Sequence, residues 1–240
     1  MWFTAILNKF LAAPAAWLMV RFGQTPPDPS HPIPNYVGME VLVIILIVAA
    51  ALILRSRLSV ENPGTFQALM EEVFKFTKDT GDDIIGQNSS RFLPLLGTLF
   101  IFTLICNLLG VIPSLETPTA HIQVTLGCAV VAFLYYNYHG VRHHGVVGYL
   151  KHLCGPMLAM AFLMFPVEII GNLGRLLSLS VRLYANMFVG AILEQVFSGL
   201  VPVAIPALFT ALHIFVALLQ AYIFMILPAI YIAMAITEEH

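Results

Sequence analysis

Residues 165–194 read FPVEIIGNLGRLLSLSVRLYANMFVGAILE, and the fold turns on how this stretch is placed. It is apolar enough for a bilayer, yet it carries Glu168, Arg175, Arg182 and Glu194. On a helix the first three follow one another at seven-residue steps, about two turns. Asn172, Ser178 and Asn186 fall three or four residues from one or other of them. The pattern predicts one polar stripe on a helix otherwise rich in Leu, Ile, Val, Met and Phe. An ionised side chain near the bilayer centre costs about 2.5–3.5 kcal/mol on insertion scales. The stripe must therefore meet water, a partner protein, or both.

The seven-residue step from Glu168 to Arg175 exceeds the usual i,i+4 pairing distance. Arg182 has no acid one turn away, because Ser178, Leu179, Ala185 and Asn186 occupy those positions. Arginine does not release its proton, so the spacing predicts that its anion comes from another chain. Such a fixed charge cannot relay protons, but it can attract an ionised carboxylate and block proton passage past it. Glu168, Glu194 and His213 can exchange protons and are candidates for lining aqueous paths. His213 and Gln220, also seven residues apart, share a face of the last apolar segment. Each alone reads as a buried polar group satisfied by a neighbouring carbonyl; two beside a charged stripe point to function.

Composition agrees with a membrane setting. The 240 residues are 59% hydrophobic and only 10% charged, against about 25% charged in a soluble domain. A net charge of −2 argues against a nucleic-acid binder. Cys106, Cys128 and Cys154 are widely spaced in or beside apolar segments and read as small core residues. There is no GxxxxGK[ST] or GxGxxG, so no nucleotide-binding loop is recognisable.

Along the chain, residues 1–22 read as an interfacial amphipathic helix in preference to a signal peptide, since a small-residue cleavage site is missing. A Pro-rich linker with His31 follows. Residues 36–54 are long enough to span, with Glu40 near the start and Arg55 and Arg57 just beyond the end. Residues 63–83 place Phe66, Leu69, Met70, Val73, Phe74 and Thr77 on one face and charges on the other, predicting a helix on the membrane surface. Residues 92–112 and 122–138 are further spans, the second ending in Tyr135, Tyr136 and Tyr138. Arg142, His143, His144 and Lys151 then read as a loop. Its histidines, with His139 and His152, are solvated loop residues; without an acid or Cys they form no metal site.

Residues 155–200 would reach roughly 69 Å as a helix and residues 203–236 roughly 50 Å, against a hydrocarbon core about 30 Å thick. Together they predict a long, strongly tilted helical hairpin. The fold class is thus an all-α integral membrane protein: a single membrane domain over 1–240, with about five membrane-embedded helices plus amphipathic surface helices. The Lys/Arg bias predicts the N-terminus and residues 113–120 outside, and residues 142–151 and the C-terminus in the cytoplasm.

SLSVRLYANMFVG, followed by LHIFVALLQAYIFMILPAIYIAMAITEEH, resembles the membrane stator subunit a of F-type rotary ATP synthases. PIPN before the first span and NLLGVIPSLETPTAHIQVTLG extend the likeness over nearly the whole chain. The resemblance implies two offset aqueous half-channels facing a rotating ring of c subunits, each bearing a membrane carboxylate. It implies peripheral-stalk b subunits and membrane lipid as further partners, no cofactor, no nucleic acid and no bond chemistry in this chain. Arg182 matches the arginine that separates the half-channels, Asn186 and Gln220 match polar neighbours, and Glu168 and His213 match positions linked to proton access. One position departs: the family commonly has an acid or histidine nine residues after the arginine, where this chain has Ala191. Glu194, one turn later, is the expected replacement. The absence of a clear transit peptide favours a bacterial inner membrane. A secondary transporter would more often show internal repeats, and a passive structural subunit would leave the aligned charges unexplained.

Overall fold

The structure, a computed structural model, describes residues 2–21, 32–59, 63–86, 89–112, 115–154, 161–198 and 204–236. His31, the turn between the last two helices and the four C-terminal residues lie outside the described residues. The described chain is helical with no strand: α1 (Trp2–Arg21), α2 (Asn35–Ser56), α3 (Thr65–Ile85), α4 (Leu93–Leu109), α5 (Ile122–Cys154), α6 (Ala161–Ser198) and α7 (Ala204–Ile236). Two short 3-10 turns, Ser89–Arg91 and Pro118–Ala120, precede α4 and α5.

Among the described residues, three helices are long and apolar enough to cross a membrane: α2, most of α6 and most of α7. Helix α4 is apolar but has 17 residues. Outward-facing Leu52, Ile53, Phe162, Ile170 and Phe215 give these helices an apolar exterior, the arrangement that lipid contact requires. The fold is that of an all-α membrane protein.

The core forms where α4, α5, α6 and α7 meet. Leu99 of α4, Ala129 and Ala132 of α5, Leu179, Leu183 and Met187 of α6 and Phe224 of α7 are buried together. Next to it, Phe92, Leu96, Tyr136, Met225, Ala229 and Ile232 form a second cluster. Small residues let the backbones approach: Ala217, Ala221 and Ala229 are at most 1% exposed. Met39 and Val43 attach α2 to Cys106 and Leu109 of α4.

Helices α6 and α7 form the expected antiparallel hairpin. Asn186 meets Gln220, Glu194 meets Thr210, and the rings of Phe197 and Phe209 stack at 4.6 Å, so contacts step in opposite directions along the two helices. Their 38 and 33 residues span about 57 and 50 Å.

Two expectations change. The chain over residues 139–151 is helical and not a loop: α5 continues to Cys154 and breaks at Gly145, whose φ of +72° favours glycine. Beyond the break it folds back, so that Tyr149 covers Gly140 and donates a hydrogen bond to Asn137 at 2.8 Å. His139 is half-buried against the rings of Phe92, Tyr135 and Tyr138 and is not a solvated residue. Burial, then Arg142 and Arg91, pushes its imidazole below the ordinary value. In α1 the polar residues point inward: Thr4 packs on Gly38, and Asn8 exchanges two 3.0 Å hydrogen bonds with the Ile33 backbone. Phe10, Trp17 and Val20 are exposed. In α3, Gln67, Thr77 and Gly81 are buried, whereas Phe66, Leu69 and Phe74 stay open. Phe66 and Phe74 line an apolar groove shared with α2 and α4.

Candidate functional site

The stripe on α6 meets two environments. Toward the α6 N-terminus it turns into the bundle. Arg175 donates to Glu168 at 3.4 Å and to Asn172 at 3.3 Å, and its guanidinium lies 5.7 Å from the Tyr231 ring centroid. Tyr136 also donates to Asn172, at 3.0 Å. The expectation that seven residues put Glu168 beyond Arg175 is overturned. Two long side chains on one face lean together across about 10.5 Å of helix rise, and the ion pair forms. With Tyr149 they enclose a small cavity of about 40 Å³. Burial pushes the Tyr149 phenol upward, against the opposing pull of Arg175.

One heptad further, Arg182 is exposed and makes no hydrogen bond or ion pair within the described chain. A heptad on a straight helix drifts by about 20°, and the neighbours of α6 change along its length. Gly171, Gly174 and Ser178 precede Arg182 on open surface; a Cβ added at either glycine would meet nothing within 4 Å. Asn186, one turn on, donates to Gln220 Oε1 at 2.9 Å, a link between α6 and α7 beside Arg182.

Beyond that link lies His213. Its imidazole is packed between two glycines, Gly110 of α4 and Gly190 of α6, whose added Cβ atoms would lie 3.3 Å and 3.2 Å from its two ring nitrogens. His213 is 5% exposed, and neither nitrogen has a hydrogen-bond partner. Glu194 Oε2 is 4.0 Å from Nδ1, and Glu194 Oε1 accepts from Thr210 at 3.4 Å. A buried imidazole without partners beside a carboxylate is a place where a proton can be gained or lost.

Glu194, Ala191 and Thr210 line a polar cavity of about 1150 Å³. Its other wall is the segment 115–121. There Glu116 Oε1 and His121 Nε2 pair at 2.7 Å, and Tyr36 of α2 stacks on His121 at 4.4 Å. Thr117 packs on Gly110, and Thr119 donates to Asn107, which in turn donates to the Ala217 carbonyl of α7. Sequence reading missed Glu116 and His121; the available signal was an acid and a histidine flanking Thr-Pro-Thr between two apolar segments. Among the described residues, no three His, Cys, Asp or Glu side chains converge as a metal site would need.

Comparison with known proteins gives the family of the chain. The family model described as ATP synthase A chain matches residues 37–233. The chain is 43% identical over 240 residues to ATP synthase subunit a of Koribacter versatilis, covering all of this chain and 98% of that protein. It is 42% identical over 235 residues to the subunit a of Solibacter usitatus, covering 98% of this chain and all of that one. The subunit a of Sulfurimonas denitrificans is 42% identical over 187 residues, 77% of this chain and 83% of that protein. Matches at this coverage account for the whole helical bundle: the chain belongs to the ATP synthase A chain family.

Proposed function

We propose that this chain is the proton-translocating stator subunit of a bacterial rotary ATP synthase, a multi-pass protein of the inner membrane with no bond chemistry of its own. Arg182 faces the ionised carboxylate of a c subunit and separates two aqueous half-channels. Peripheral-stalk b subunits hold the chain against rotation. One half-channel follows the large cavity past Glu194 and His213; the other begins at the Glu168–Arg175–Asn172 cluster at the opposite end of the bundle. Proton flow along both turns the ring, and rotation drives ATP synthesis in a separate catalytic head.

The observation that carries this reading is Arg182, a permanent cation without a partner among the described residues, on an exposed face of a helix apolar enough to span a membrane. Such a charge is too costly to face lipid. Gly171, Gly174 and Ser178 before it would let a partner helix approach closely. Asn186 and Gln220 hold the surface beside it in register. Glu194 stands one turn past Ala191, lines the same cavity and comes within 4.0 Å of the His213 imidazole, which supports it as the replacement for the family's acid.

Arg182→Ala in membrane vesicles carrying the assembled complex tests the reading. ATP-driven proton pumping is expected to vanish while assembly persists, with an added passive leak if Arg182 is also the barrier. Surviving pumping would remove the central residue of this mechanism.

A further inference from the structure

The large cavity has two titrating groups that the mechanism above does not use. Glu116 and His121 sit on the 115–121 segment and pair directly at 2.7 Å. That segment is not a loose connection. Thr117 and Thr119 are 5% and 0% exposed; the contacts to Gly110 and Asn107 fasten the segment to α4, and its 118–120 turn packs on α6. This anchoring holds the pair against the cavity whose far wall carries Glu194.

Exposure divides the groups. The Glu116 and His121 side chains are 33% and 31% exposed, Glu194 is 28% and His213 is 3%. The pair and Glu194 are about equally open to the cavity, and the His213 imidazole is buried behind them. Around His121 are Glu116, bonded to it, and Tyr36, stacked from α2; Glu40 lies one turn beyond Tyr36 on that helix, and Tyr184 and Glu194 line the cavity from α6. Helices α4 and α7 add no acid or base to the lining. Glu116 and His121 lie on the connection between α4 and α5 at the end of the bundle, whereas Glu194 lies within α6, and the hydrogen bond between the pair lets them share one proton.

We propose that Glu116 and His121 are the proton-collecting pair at the mouth of this cavity, loading protons from bulk water and passing them through cavity water to Glu194. The proposal rests on the half-channel reading. In each cycle the pair takes one proton from hydronium, which leaves as water, or at higher pH from water, which leaves as hydroxide, and gives one proton to a cavity water bound for Glu194. Protons and charge balance, and no co-reactant is needed. A pair that holds protons keeps transfer from depending on hydronium alone, whose concentration falls tenfold per pH unit.

The test uses the complete synthase in liposomes, with ATP synthesis driven by a fixed diffusion potential. The pH on the proton-entry side is varied between about 6.5 and about 9, above the ordinary carboxylate range. Glu116→Gln, His121→Gln and the double variant are expected to make synthesis fall more steeply with rising pH, approaching the roughly tenfold loss per unit of a hydronium-limited rate. Rates are normalised to assembled complex. Glu116→Asp, which keeps a carboxylate, is expected to hold a wild-type profile and serves if the Gln variants assemble poorly. Variants whose profile parallels wild type, whatever their absolute rate, would overturn the proposal and leave the pair a structural clasp. Arg182→Ala in the same liposomes separates the two readings: lost synthesis there with a parallel profile in the pair variants sinks only this inference, whereas synthesis surviving Arg182→Ala sinks the half-channel mechanism itself.

Discussion

At the scale of single residues, the hairpin's polar groups follow from periodicity, because α6 and α7 are regular and seven residues return to nearly the same face. That is why Arg182 with Asn186, and His213 with Gln220, were legible in the sequence. The proposed replacement of an acid at Ala191 by Glu194 is the part that geometry sharpens. Glu194 Oε2 points at the partnerless Nδ1 of His213 from 4.0 Å. Glu194→Gln keeps the shape and removes the titrating oxygen. It is expected to cut ATP-driven pumping by about 10²-fold, the low end of what a positioned proton-transfer group supplies. Ala191→Glu combined with Glu194→Gln is expected to recover part of that loss, since Ala191 lines the same cavity. Intact pumping in Glu194→Gln would show that His213 draws its protons from elsewhere. The Glu168–Arg175 pair was misjudged for the opposite reason. The i,i+4 rule describes short pairs on isolated helices, whereas Asn172, Tyr136 and Tyr231 here gather Arg175 toward its acid.

At the scale of elements, the 115–121 segment decides whether the cavity has a wall. Its placement depends on Gly110: a Cβ there would collide with Thr117 Oγ1 and press on His213. Gly110→Ala is expected to destabilise the chain by about 1–3 kcal/mol, the range for overpacking, seen as a lower melting temperature of the purified complex. Thr117→Ala removes the colliding hydroxyl, so the double variant is expected to recover most of the loss. A double variant as unstable as Gly110→Ala would mean that the pressure on His213 dominates. None of this was legible in the sequence. Pairing Glu116 with His121, and seating Thr117 on Gly110, requires a non-periodic segment to fold back onto two helices, and no spacing rule reports that. The helical continuation of α5 was missed for a related reason. A run of Arg and His reads as a solvated loop until Tyr149 and Gly140 supply it with a packing surface.

At the scale of the whole molecule, the helices set two polar regions at opposite ends of one bundle, with Arg182 between them along α6. Glu116, His121 and Glu194 gather at the end where α4 closes and α7 opens; Glu168, Arg175 and Tyr149 gather where α5 and α7 close. An offset pair of this kind does work only if its ends open to different compartments, and that makes sidedness testable. Ser56 at the end of α2 and Gln123 at the start of α5 are both exposed and lie at opposite ends by helix direction. In a background with Cys106, Cys128 and Cys154 replaced by alanine, a membrane-impermeant maleimide is applied to vesicles of known orientation. Ser56→Cys is expected to label only from the cytoplasmic face, as the nearby Arg55 and Arg57 require by the positive-inside rule. Gln123→Cys is expected to label only from the opposite face, through the large cavity that it lines. Labelling of both from one side would put the two polar ends in one compartment. The gradient would then have no path across Arg182, because a proton entering at one end would leave into the same water.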